Sequence, residues 1–367
     1  MPTRVLIFTA SIGAGHDLPA EVLATELRAQ GAIAHIVDFL DIAGPVARAI
    51  IGGASSLDST AGNIAFDVSY FVTVRIKPMR RVGSAFTAAV AGKRFEAFIA
   101  QYPADVIVST YPLTTELLGR LRLQGRIAAP TVAAITDLAA LNFWAHPSVD
   151  LHLVTHPESE PEVRAIIGPG GRIEAVHGFS DLAFTHPPER AAARRELGLV
   201  EDGRIVVVSG GGWGVGDLVG ATDAALRAGA GQVVVLVGHS ETAQARLAAA
   251  YGDDERVQVW GFTDKMVPLL AAADVLVHST AGLTVLEALM CGARVISYGW
   301  GKGHIRANNA AYDRLGMAAV ARDRPALARA LTDALSAPPL GHQVPGLPAA
   351  ADLVLALAAD REPAHAR

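Results

Sequence analysis

A buried apolar run that ends in a glycine turn and passes directly into a helical stretch constrains this chain more than any other feature. Val5-Leu6-Ile7-Phe8 leads into Ser11-Ile12-Gly13-Ala14-Gly15-His16, and residues 18–30 then carry an amphipathic helical pattern ended by Gly31. Residues 33–39 read as the next strand. Strand, glycine turn, helix and strand in that order form the first unit of a doubly wound α/β fold. Further apolar runs at 105–110, 131–137, 151–155 and 173–176 continue the strands, one of them ending in Asp137. His16 directly after Gly15 places an imidazole at a strand end, either as an acid or base or as a helix cap.

The same order returns after Pro187-Pro188 and the helical stretch 190–197, which read as the crossing into a second domain. Arg204-Ile205-Val206-Val207-Val208-Ser209 runs into Gly210-Gly211-Gly212-Trp213-Gly214-Val215-Gly216-Asp217. Five glycines in seven residues let backbone approach a diphosphate, and a purely structural loop is not expected to carry so many. Strands at 232–237 and 257–259 lead to Gly261-Phe262-Thr263-Asp264, whose backbone suits a base edge. The strand 275–278 ends in Ser279-Thr280-Ala281-Gly282 and opens a helix carrying Thr284 and Glu287. The strand 294–298 ends in Gly299-Trp300-Gly301-Lys302-Gly303 and opens a helix carrying His304, Arg306 and Asn308. Two helix N-termini at adjacent strand ends make a pocket for an anionic nucleotide, because unpaired N–H groups and the helix dipole favour phosphate. Such ligands sit off the C-terminal ends of the strands.

A chain of 367 residues exceeds what one core sustains. The expected division is 1–180, 181–345, and a last helical segment within 346–367 packing back on the first domain. Hydrophobic residues make up 51% and charged ones 18%, so both domains can bury large cores. A net charge of −5 argues against nucleic acid as a partner, which would need a basic face. Cys291 is the single cysteine, excluding a disulfide framework and a cysteine-based zinc site, and reads as a small buried hydrophobe. The uncharged run 334–351 carries four prolines and does not suit a spanning helix. The apolar run at 5–10 reads as a strand and not a signal sequence, so a cytoplasmic protein is expected.

Residues 43–102 look mostly helical. Between Asp67 and Glu96 stand six bases, Arg75, Lys77, Arg80, Arg81, Lys93 and Arg94, and no acid. Two readings stay open: residues 75–94 dock on an anionic membrane, or they form a solvated helical face.

Four motifs in order carry a family resemblance: Gly13-Ala14-Gly15-His16, Thr136-Asp137 with Trp144 and His146-Pro147, Gly210-Gly211-Gly212-Trp213-Gly214, and Thr284-x-x-Glu287 with Asn308. The chain resembles the monogalactosyl- and glucosyl-diacylglycerol synthases, and more distantly the bacterial N-acetylglucosaminyltransferase of the peptidoglycan lipid intermediate. The resemblance implies a GT-B fold, two Rossmann-like doubly wound domains facing across a cleft, the first for the acceptor and the second for a nucleotide sugar. It implies inverting, metal-independent transfer of a hexosyl group from a UDP-sugar to a hydroxyl of a diacylglycerol-like lipid, at the inner face of the cell membrane. The UDP-sugar is a donor substrate, and no cofactor is implied.

Carried over by residue, His16 looks like the family's base or acceptor-orienting histidine and Asp137 like its cleft aspartate. Glu287 looks like the carboxylate that accepts the ribose hydroxyls, Gly211 and Gly212 meet the diphosphate, and Phe262 lies where uracil is held. Trp213, Thr280, Gly282, Thr284, His304 and Asn308 complete the expected donor set. The chain departs from the family at Thr280-Ala281-Gly282, where Pro-Gly-Gly is usual, at Leu141, where a histidine is common, and at His304 and Arg306 near the sugar. No Asp-x-Asp occurs, in keeping with transfer without a bridging metal. A lipid-linked natural-product acceptor, a UDP-sugar 2-epimerase and a binding-only protein remain alternatives, since a fold hosts many functions.

Overall fold

The structure, a computed structural model, describes residues 1–11, 14–45, 48, 77–280, 282–299, 301, 303–342 and 346–360. The chain separates into two compact units, Met1–Ser180 with Gly346–Arg367, and Asp181–Pro345. Arg75 and the rest of 49–76 lie outside the described residues, as do Ile12, Gly13, Ala281, Trp300 and Lys302.

The first unit holds β1 (Arg4–Thr9), β2 (Ile33–Asp38), β3 (Val106–Ser109), β4 (Thr131–Ile135), β5 (Leu151–Val154) and β6 (Ile173–Ala175). They form one sheet of order β2-β1-β3-β4-β5-β6, each described pairing parallel. Side chains alternate across a strand, and helices cover both faces, so consecutive apolar residues are buried on opposite sides. Val5 and Ile7 pack with Leu23, Leu27 and Val354, whereas Leu6 and Phe8 pack with Phe95, Leu117 and Leu118. The helix Ala350–Ala359 is thereby part of this unit's core, and Gln30 Nε2 donates to Asp352 Oδ1 at 2.8 Å.

The second unit holds β7 (Ile205–Ser209), β8 (Gln232–Leu236), β9 (Val257–Trp260), β10 (Val275–His278), β11 (Arg294–Tyr298) and β12 (Ala319–Ala321). Their order is β12-β11-β10-β7-β8-β9, again with parallel pairings. Cys291 is fully buried, and burial, with Glu287 adding to it, pushes its thiol up to about 12.

In each unit the chain leaves its first strand toward one edge and later resumes on that strand's other side. The resulting switch points lie between β1 and β3, and between β7 and β10. Crevices at the carboxyl ends of such strand pairs are where doubly wound sheets bind ligands. Among the described residues no helix is long and apolar enough to cross a membrane.

Candidate active site

The helix after β1 spans Ala14–Ala29, so His16 stands in its first turn and not in the preceding glycine turn as expected from a start at residue 18. Pro19 lies inside the helix and has no N–H for the Gly15 carbonyl, which is why the local pattern suggested a later start. His16 Nδ1 is 3.1 Å from the carbonyl oxygen of Thr110, the residue after β3. A carbonyl only accepts, so Nδ1 carries the proton in this contact. Thr110 Oγ1 donates to the His16 carbonyl at 3.1 Å, closing the clasp. Tyr111 and Trp144 flank the ring, with centroids 5.2 and 5.7 Å away.

Asp137 follows β4, and its Oδ2 accepts from Trp144 Nε1 at 2.8 Å. The intervening loop is pinned from below: Ser159 Oγ donates to the Leu138 carbonyl at 3.0 Å, and Leu141 N donates to Glu162 Oε1 at 2.9 Å. Ala140 in this loop has φ 64°, the one non-glycine residue with positive φ among those described. Buried His156 lies near enough to Asp137 to feel its charge, although burial outweighs that attraction and pushes the imidazole down to about 4. The bond at Nδ1 of His16 runs to the Thr110 carbonyl, because the β1–β3 pairing brings that main chain beside the histidine. His146 of the His-Pro motif is structural here: its ring fills the space a Cβ on Gly119 would need, and its amide donates to His152 Nε2 at 3.2 Å.

In the second unit the loop after β7 forms a short 3-10 turn, Gly211–Trp213. The expectation that its glycines serve mainly a ligand needs correcting. A Cβ on Gly210 would lie 2.6 Å from the Gly214 carbonyl carbon, and one on Gly214 would lie 2.7 Å from the Val237 carbonyl oxygen. A Cβ on Gly211 would meet Thr280 Cγ2 at 3.1 Å, so Gly211 and Thr280 are brought together. Only Gly212 of the Gly210-Gly211-Gly212 run has nothing within 4 Å of such a carbon. Close packing therefore accounts for four of the five glycines, Gly210 on the loop itself and Gly211, Gly214 and Gly216 on neighbouring segments, and Gly212 is the one left open to a ligand.

Trp213 and Phe262 are 70% and 67% exposed. His239, not singled out from the sequence, lies between them. It stacks on Phe262 at 4.4 Å and 13° and stands 6.2 Å from Trp213. Its amide donates to the Gly212 carbonyl at 2.9 Å, so the three aromatic rings and the open glycine share one strand-end surface. The signal was available: Gly238-His239 after β8 repeats Gly15-His16 after β1.

The helix Thr284–Met290 is only two turns, so its dipole is smaller than the sequence pattern suggested. Gly282 is exposed and its carbonyl accepts Val285 N at 3.1 Å, while Thr284 is half-buried at the first helical position. Glu287 is 5% exposed. In the helix Gly303–Leu315 His304 is exposed whereas Asn308, one turn on, is buried, so the two do not share one environment. Neighbouring Asn309 anchors the helix, accepting from Ser297 Oγ at 2.6 Å. Asp217, also missed, ties the end of the glycine loop to two elements: Tyr298 Oη and Arg324 Nε donate to its Oδ2 at 3.0 and 2.9 Å. Those bonds, with the Gly220 amide on Oδ1, outweigh desolvation and hold its carboxyl below the usual range.

Residues 204–337 match the family model described as glycosyl transferases group 1, and residues 17–169 match that of monogalactosyldiacylglycerol (MGDG) synthase. MurG of Acinetobacter baumannii shares the fold with a TM-score of 0.58 and 15% identity, over 97% of this chain and 100% of that one. Arabidopsis thaliana UGT89C1 complexed with UDP does so with a TM-score of 0.55 and 14% identity, over 90% of each chain. The chain is a glycosyltransferase of the GT-B fold. It is similar to the processive diacylglycerol beta-glucosyltransferases of Bacillus mycoides (strain KBAB4) and Bacillus cereus (strain AH187), at 23% and 24% identity. Each alignment spans 323 residues, 87% of this chain and 82% of the relative.

Proposed function

We propose that the protein moves a hexosyl group from a UDP-sugar to the hydroxyl of a diacylglycerol-like lipid, with inversion and without a metal ion. The observation that carries the reading is the clasp between His16 and Thr110, which fixes a part-buried imidazole at a sheet switch point with its proton on Nδ1. In the step proposed, Nε2 takes the proton of the acceptor hydroxyl, the oxygen attacks the anomeric carbon from the face opposite UDP, and UDP leaves with the bonding pair. A single displacement of this kind inverts the anomeric centre. The backbone around Gly212 and the surface of Trp213, His239 and Phe262 hold the nucleotide, with Glu287 on the ribose. The diacylglycerol glucosyltransferase relatives support the acceptor class, and a fold neighbour complexed with UDP supports the donor class. The sequence lacks Asp-x-Asp, which supports metal independence.

The test is UDP release from a panel of UDP-sugars, with and without diacylglycerol in anionic vesicles. Release that requires one sugar and the lipid is expected. Donor binding without lipid-dependent release would discard the lipid acceptor. Peripheral contact with the inner, cytoplasmic face of an anionic membrane through residues 75–94 belongs to the same proposal. Of its bases, Lys93 and Arg94 are exposed on the helix Lys77–Gln101. Replacing both with glutamine should lower sedimentation with anionic vesicles, and unchanged sedimentation would remove them from that contact.

A further inference from the structure

The N-terminal edge of the second sheet gathers three arginines around one carboxylate. Asp274 is buried just before β10, and three guanidiniums reach it. Arg190 Nη1 is 3.4 Å from Oδ1, Arg194 Nη2 is 2.8 Å from Oδ2, and Arg204 Nη1 is 2.9 Å from Oδ1. Arg294 begins β11 beside them, its amide donating to the Asp274 carbonyl at 2.9 Å. Further guanidinium N–H groups donate to main-chain carbonyls, including Leu340 from Arg190, Ala337 from Arg204 and Pro338 from Arg294.

Carbonyl dipoles solvate these cations without neutralising them, and one carboxylate does not balance three positive charges. The Nε atoms of Arg190 and Arg294 are both buried and donate to no described atom. Burial lowers the proton affinity of Arg190, with Asp274 opposing that effect and Arg194 and Arg204 reinforcing it. Beside the three arginines on Asp274 lies a cavity of 280 Å³, lined by Arg190, Arg194, Gly203, Arg204, Asp274 and Pro339. The Arg194 side chain keeps 7% of its surface, and those of Arg190 and Arg204 keep 21% and 27%, so a partly buried excess of positive charge favours a counter-charge.

We propose that this cavity is an oxyanion site that takes a tetrahedral dianion of the inorganic phosphate class. Guanidinium forks match phosphate oxygens with paired, charge-assisted bonds, and a dianion offsets more of the excess than a carboxylate does. The site is separate from the nucleotide surface. β7 runs from Arg204 at this edge to the glycine loop at the other, and five residues of strand span roughly 16 Å. A bound phosphate would also join the helix Arg190–Leu197 to the segment at 337–341, through Arg190 and Arg204.

The experiment is calorimetric titration of inorganic phosphate into the full chain, with saturating UDP and with chloride at equal ionic strength as the reference. One phosphate per chain is expected, with a rise in melting temperature that chloride does not give. Arg190→Lys and Arg204→Lys keep the charge but lose the fork, and each should weaken phosphate by about tenfold or more while UDP affinity stays unchanged. Should one of these fail to fold, the other carries the test, since both side chains line the cavity. Phosphate heats equal to chloride's in the parent protein, or variants that bind phosphate as the parent does, would overturn the proposal. These variants report on the cavity whether or not UDP is the donor nucleotide.

Discussion

Nδ1 of His16 and the carbonyl oxygen of Thr110, 94 residues apart in the chain, lie within 3.1 Å of each other. The contact joins the first turn of the helix after β1 to the residue after β3 and holds the imidazole in one tautomer. Replacing His16 by alanine should therefore reduce kcat by about 10²–10⁴-fold, the usual worth of a positioned base. UDP affinity should be retained, because that surface belongs to the other unit. Steady-state kinetics with calorimetric UDP binding checks both, and unchanged turnover would remove His16 from the mechanism.

Two neighbouring glycines should behave differently. Gly212→Ala adds a methyl group to open space, so the melting temperature should hold while UDP affinity falls. Gly210→Ala drives a methyl group into the loop's own backbone and should cost about 1–3 kcal/mol of stability. Melting curves paired with UDP titrations separate the outcomes. Equal UDP affinity in Gly212→Ala would argue against close approach of a ligand there.

Glu287→Ala should weaken UDP by about 10–100-fold, the scale of a lost hydrogen bond to a charged group. Uridine diphosphate and deoxyuridine diphosphate, titrated in parallel, provide the internal control. The variant should narrow the gap between them, and a gap left intact would contradict a ribose role.

Acid should destabilise both units before their carboxylates are protonated. Burial pushes His152 and His156 in the first unit and His278 in the second down to about 4, against about 6.5 for an unfolded histidine. Between those values the unfolded chain binds more protons, so stability falls as pH drops from about 6.5 toward 4. The slope is on the order of 1 kcal/mol per pH unit for each histidine. Urea midpoints at several pH values in that window would show the decline, and a flat profile from pH 7 to 4.5 would contradict neutral burial.

Local pattern carried much of the architecture. The strands Val275–His278 and Arg294–Tyr298 and the helix Arg190–Leu197 fall where the apolar runs and helical periodicity put them. Their limits are set by short-range effects: β-branched side chains favour extended backbone, and Gly and Pro end regular structure. His16, Asp137 and the glycine loop were legible as strand-end residues because a doubly wound sheet presents those ends to ligands.

What tertiary structure alone decided is which strand ends meet. The proton on Nδ1 of His16 depends on Thr110, and Trp144 finds Asp137 through a loop held by Ser159 and Glu162. His239 stacks on Phe262 because β8 and β9 are neighbours in register, Leu236 beside Trp260. Arg190 and Arg194 from one helix and Arg204 from the residue before β7 converge on the Asp274 carboxylate. Periodicity reports the state of a segment, but these pairings follow from crossover topology and register. Both are set by long-range packing and leave no repeating mark in the sequence.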